Sequence, residues 1–108
     1  MHILLTRPLD DSKELLFKLT SMKHKVSHLP LLQIKKIEIP ETDFTQFKAI
    51  IFTSANALKY LDTSKVDKKI FCFCVGLATE RKAKELGFQN IFCAEGNVNN
   101  LKELILQN

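Results

Sequence analysis

The chain has 108 residues, 45% of them hydrophobic and 26% charged, with three glycines, three prolines and a formal net charge of +4. That length suits one ordinary domain, which hides roughly two-thirds of the surface its unfolded form would expose, and that composition excludes a disordered tail or a fibre. No stretch approaches the roughly 20 apolar residues that a membrane helix needs, and Ile3-Leu4-Leu5 is far too short for a signal-peptide core, so no membrane partner is expected.

Residues 2–6 form a short apolar run closed by Arg7-Pro8, and this is the first predicted strand. A helix follows, with Leu15, Leu16, Leu19 and Met22 on one stripe; Asp10, Asp11 and Ser12 precede it as cap and dipole partners. Residues 26–29 and 32–39 read as extended segments either side of Pro30, a second strand running into a linker. A single helical turn is predicted over 42–47.

From Lys48 onward, apolar runs at 49–53, 70–75 and 90–94 are continuous enough for inner strands covered on both faces. Helical patterns lie between and after them. They span 55–61, then 78–86 stopped by Gly87, then 98–106 capped by Asn97 with Leu101, Leu104 and Ile105 in phase. Glu80 and Lys84 make a favourable pair at helical spacing. Because each connection contains a helix and no two-residue hairpin is available, the strands should pair in parallel through right-handed crossovers. The predicted fold class is α/β: a flavodoxin-like, doubly wound layer of parallel strands alternating with helices.

Lys13, Lys18, Lys59, Lys82, Lys84 and Lys102 are scattered over helix faces, so the charge favours an anionic ligand and does not demand nucleic acid. Cys72, Cys74 and Cys93 are an odd number without a C-x-x-C pair and lie in strand-like runs; they are expected as reduced, core-facing thiols of a cytoplasmic protein. Cys72 and Cys74 point to one side of their strand with no third ligand nearby, and His2, His24 and His28 lack metal-ligand company, so no metal is expected. G-x-G-x-x-G and P-loop patterns are absent, which argues against dinucleotide and P-loop chemistry. A phosphorelay receiver would need an aspartate where Thr53-Ser54 ends the third strand.

The ligand crevice of an open parallel sheet lies beyond the carboxyl ends of its strands. Three loops there have suitable groups: 6–8, 53–57 and 75–79. At Thr53-Ser54-Ala55-Asn56 a strand passes directly into a helix, so first-turn amides, the Ser54 hydroxyl and the Asn56 amide could face an acid group; equally, Ser54 or Asn56 could do no more than cap the helix. Gly76 would let a ligand approach the backbone, and Thr79 would either cap the next helix or present its hydroxyl. Arg7 would grip a carboxylate or pair with Asp10 or Asp11.

Taken in order, Leu4-Leu5-Thr6-Arg7-Pro8, Leu29-Pro30-Leu31, Ile51-Phe52-Thr53-Ser54-Ala55-Asn56-Ala57, Cys74-Val75-Gly76 with Thr79, and Glu85-Leu86-Gly87-Phe88 resemble uroporphyrinogen-III synthase, over essentially the whole chain. The resemblance implies a cofactor-free lyase of tetrapyrrole and haem biosynthesis. Such an enzyme closes hydroxymethylbilane, a linear polycarboxylate tetrapyrrole, into uroporphyrinogen III with loss of water and inversion of the last pyrrole. It implies substrate contacts by Arg7, Ser54, Ala55, Asn56, Gly76 and Thr79, and leaves the catalytic residues unassigned. It also implies a first lobe from residues 1–36, a linker over 37–47 and a second lobe from 48–108. Family members carry a second half with a catalytic tyrosine, to which Tyr60 does not correspond. A half-length chain would then complete one layer by folding its first β-α-β unit back, displace that unit, or exchange it in a swapped homodimer. The alternative is a truncated module that binds anionic tetrapyrroles without turnover, or an inactive fragment.

Overall fold

The computed structural model describes residues 1–108 apart from the side chain of Val98. Five strands and four α-helices alternate along it, and all strand pairs are parallel, which makes the fold α/β of the doubly wound kind. The chain divides into two compact units, Met1–Ile37 and Glu38–Asn108.

In the first unit, β1 (His2–Leu5) pairs with β2 (Lys25–His28), and α1 (Leu9–Ser21) is the crossover between them. Pro8 holds the N-cap position and makes no side-chain cap, so Asp10 and Asp11, expected ahead of the helix, lie in its first turn and act on its dipole. Ser12, expected as a cap, is instead 1% exposed, and its hydroxyl donates to the Arg7 carbonyl at 3.2 Å. Of the predicted stripe, Leu16 and Leu19 are half-buried, while Leu15 and Met22 are 41% and 65% exposed. A two-stranded sheet is too narrow to cover a whole helix face. Among the described residues, no hydrophobic side chain of this unit is fully buried.

Residues 29–43 have no regular structure and are exposed, so the extended segment expected over 32–39 does not form a strand. Strand-forming composition makes a strand only when it pairs, and none of the five strands pairs with this segment. The strands form two sheets and not one five-stranded layer: β1 and β2 pair only with each other.

In the second unit, β3 (Ala49–Phe52), β4 (Phe71–Val75) and β5 (Asn90–Ala94) lie in sequence order, with α2 (Ala55–Tyr60) and α3 (Leu77–Glu85) as crossovers and α4 (Val98–Gln107) at the end. Consecutive right-handed crossovers put α2 and α3 on the same face. There Leu58 and Ala83 pack with Phe52, Cys72, Cys74, Ile70, Val66 and Phe88. Phe52 and Phe88 meet edge to face at 6.0 Å between ring centres, a contact worth about 0.5–1.5 kcal/mol beyond the area buried. On the other face α4 sets Leu101 against Phe73 and Ala94.

The expected double-sided burial holds for β4, whose Cys72, Phe73 and Cys74 are all buried, but not for β3. α4 packs on β4 and β5, which leaves Ile51 50% and Phe71 41% exposed. The turn expected over 42–47 is a 3-10 turn, Phe44–Gln46, capped by Asp43, whose carboxyl is held below its ordinary range by the Thr45 hydroxyl and amide. A second such turn, Thr63–Lys65 capped by Asp62, was not predicted, because it has no apolar periodicity to mark it.

Candidate functional site

The carboxyl ends of β3, β4 and β5 carry three strand-to-helix turns, and the three differ in how they treat the free amides of the helix that follows. At the first, Ser54 is the N-cap of α2, and its hydroxyl accepts the Asn56 N–H at 3.2 Å. Ser54 is exposed, Ala55 and Asn56 are half-buried, and α2 is only six residues long, which limits its dipole. The sequence allowed that Ser54 only caps; in the structure it does cap. At the third turn, Asn97 caps α4 in the same manner, its side-chain oxygen accepting the Asn100 N–H at 3.0 Å. The sequence reading took Asn97 only as a cap and missed that its turn closes the same edge; its position after a predicted strand was the signal.

The middle turn is different. Gly76 is the N-cap of α3 and brings no capping side chain. Its φ of 87° with ψ of 152° lies in a region open essentially to glycine alone. A Cβ placed on it would meet nothing within 4 Å, so the space beside the turn is open. The Gly76 N–H donates to the Ala94 carbonyl at 3.0 Å, tying the turn to β5. The first helical bond runs from the Glu80 N–H to the Gly76 carbonyl at 3.2 Å, so the amides of Leu77, Ala78 and Thr79 precede it without a side-chain cap. An uncapped helix start presents donors to an anion.

Thr79 sits in this first turn and is 3% exposed. It does not cap the helix, which corrects one of the two roles expected for it. Among the described residues its hydroxyl has no protein partner, yet no fully enclosed polar side-chain atom is left unpaired. The hydroxyl oxygen is therefore not fully enclosed, in the same helical turn that Gly76 opens.

Next to Thr79 in the first turn of α3, Glu80 pairs with Lys84 at 2.8 Å; its carboxyl is held below the ordinary range by Lys84 first and by the Cys93 thiol second. Burial, and then Glu80, push Cys93 up to about 11. Cys72 and Cys74 lie on the same face with sulfurs 3.7 Å apart; the hydrogen bond to Cys72 and burial raise Cys74 far above the usual thiol value. Cys74 and Cys93, so raised, are protonated near neutral pH and do not act as nucleophiles, whereas the hydrogen bond with Cys74 lowers Cys72, whose side chain is fully buried. Among the described residues, no three His, Cys, Asp or Glu side chains are placed to hold a metal ion.

Ser54, Ala55, Asn56, Gly76 and Thr79 thus share the carboxyl edge of one sheet, whereas Arg7 belongs to the first unit. Arg7 is exposed, and among the described residues its guanidinium is in no ion pair; Asp10, one of its two expected partners, pairs with Lys13 at 3.3 Å. The Arg7 carbonyl is the engaged group, accepting from Ser12 and from the His28 ring at 2.7 Å. Tyr60 lies half-buried in α2 with the Lys59 ammonium 5.5 Å from its ring centre. Chemically, the edge of the second unit offers hydroxyls and backbone amides, groups that hold and orient an anion.

Comparison with known proteins matches a model of the uroporphyrinogen-III synthase HemD family to residues 13–108. The match spans all the site residues of the second unit and begins after Arg7. No curated protein matches the chain.

Proposed function

The chain belongs to the uroporphyrinogen-III synthase HemD family, and on that premise we propose that it binds hydroxymethylbilane and closes it to uroporphyrinogen III, with loss of water and inversion of the last pyrrole. The observation that carries this reading is the α3 start: Gly76 leaves open space and an uncapped first turn, and the buried Thr79 keeps its hydroxyl unpaired. Side-chain carboxylates of a linear tetrapyrrole are the acceptors such a turn suits. Ser54, Ala55 and Asn56 flank the same edge and confine the neighbouring carboxylate. No cofactor is required in this scheme. The hydroxyl leaves as water by taking up a proton, a pyrrole carbon attacks the cationic methylene left behind, inversion of the last pyrrole breaks its old bond to the bridge and forms a new one, and closure releases a proton. Holding the chain ends together for these steps supplies on the order of 7–11 kcal/mol in favourable cases.

A second reading, binding without turnover, is favoured by one observation. The only tyrosine lies inside α2, the edge described above holds no imidazole, and of its two carboxylates Glu80 is already paired with Lys84 while Glu95 is exposed in the turn after β5. A coupled assay decides between the two: purified chain is supplied with hydroxymethylbilane, and uroporphyrinogen III is separated from the isomer that forms spontaneously. Formation of the III isomer above the background supports the enzyme. Its absence, with saturable quenching of intrinsic fluorescence by the tetrapyrrole, supports the binding module, and absence of both overturns the family-based reading. We also place the protein in the cytoplasm, in keeping with a chain in which no described helix is long and apolar enough to cross a membrane. Exchange of β1-α1-β2 in a homodimer would give the first unit a place to bury its half-covered apolar residues. Light scattering at two protein concentrations tests it, and a monomer mass at both refutes it.

A further inference from the structure

We propose a second anion site on this protein, at the amino-terminal edge of β3 and β4, that takes a small planar aromatic carboxylate. The edge opposite the Gly76 turn holds a cavity of about 410 Å³ whose lining includes Phe44, Phe47, Phe71, Lys48, Lys65 and Lys69. All of it belongs to the second unit. Its volume falls in the range of small-molecule sites.

Two features set its chemistry. The first is aromatic surface left in water: Phe47 is 54% and Phe71 41% exposed, next to the part of the sheet that α4 leaves bare. Phe71 stands opposite Ala49 in the β3–β4 register, and Phe47 lies two residues before Ala49, so both rings fall on the same side of the sheet as Ala49. A flat ring laid there would take both phenylalanines out of water. The second feature is unbalanced charge. Three lysines line the cavity against one carboxylate, Asp67, which already accepts the Lys69 amide at 2.9 Å. Among the described residues, none of the three lysines has an ion pair, whereas Lys13, Lys18, Lys82 and Lys84 each have one.

The lysines also come from three separate segments, held in place by the backbone. Lys48 leads into β3 and its carbonyl accepts the Phe71 N–H at 3.2 Å; Lys69 precedes β4 and its carbonyl accepts from the Asn90 side chain at 2.6 Å; Lys65 ends a 3-10 turn. Ammonium groups around an aromatic floor select a ligand that is flat and apolar in its body and anionic at its rim. A second copy of this chain docking by the same face would set lysines against lysines, so a small anion is the fitting occupant.

The test is an amide-NMR titration of the full chain with naphthalene-2,6-dicarboxylate, with succinate as the aliphatic control. Saturable shifts at Lys48, Ile70 and Phe71 are expected, with succinate binding at least about tenfold more weakly. The triple variant K48Q/K65Q/K69Q should lose about tenfold or more in affinity, and K48R/K65R/K69R should recover most of it, while K102Q, which removes a lysine elsewhere, leaves it unchanged. Since all three lysines are exposed, the variants should keep their circular dichroism; if the triple variant does not fold, the three single variants should each show a smaller loss. The proposal is overturned by binding that is indifferent to these lysines, by equal affinity for succinate, by shifts that map to residues 76–79, or by no saturation.

Discussion

The turns after β3 and β4 occupy equivalent places in the fold and have opposite characters. Thr53-Ser54-Ala55-Asn56 is rich in polar side chains, and Ser54 is consumed within the chain as the cap of a short helix. The Gly76 turn has no side chain at its cap position, and for that reason the amides of α3 and the Thr79 hydroxyl remain available. An anion site is made by polar groups that the protein itself leaves unsatisfied, and a count of polar residues does not find it.

The contrast can be broken or sharpened by substitution. The largest effect is expected from Gly76→Ala, which should destabilise by about 1–3 kcal/mol from backbone strain alone, since the added methyl has room. Denaturant unfolding measures it; a loss below about 0.5 kcal/mol would show that the positive φ is not held. Thr79→Val comes next. It should weaken hydroxymethylbilane binding about five- to tenfold while stability stays within about 0.5 kcal/mol, because the hydroxyl has no internal partner to lose. A large stability loss with unchanged binding would remove Thr79 from the site. Ser54→Ala should do the reverse, lowering stability by about 1 kcal/mol through the lost cap and affecting binding less than Thr79→Val does. If it instead abolishes binding, the two turns have been ranked in the wrong order.

The smallest effect concerns pH. Glu80 is held below its ordinary range by Lys84 and then Cys93, so its folded form gives up a proton more readily than its unfolded form. The resulting stabilisation is present above the ordinary glutamate value and is lost as pH falls through the folded one. Thermal melts between about pH 6 and about pH 3 should therefore show a steeper decline for the wild type than for Glu80→Gln. Parallel declines would mean that the contacts of Glu80 with Lys84 and Cys93 carry no net charge energy.

Strand and helix order in the second unit was legible because buried parallel strands read as continuous apolar runs and each helix has its own stop or cap, Gly87 and Asn97 among them. The Glu80–Lys84 pair and the shared face of Cys72 and Cys74 follow from the 3.6 and 2 periods in the same way. Other features were not legible. Residues 32–39 have strand composition but pair with no strand, and Leu15 and Met22 carry a helical stripe wider than the sheet beneath them.

Local pattern by itself determined the five strands and four α-helices, the parallel pairing and the set of loops at the carboxyl edge, since these depend on side-chain period, turn chemistry and crossover handedness over short spans. Only the tertiary structure decided that five strands divide into two sheets, that β3 keeps one face bare, and that the open turn is at Gly76 and not at Ser54. Those outcomes depend on which donors, acceptors and apolar faces find partners far along the chain, and partnership of that kind is not encoded in any one segment.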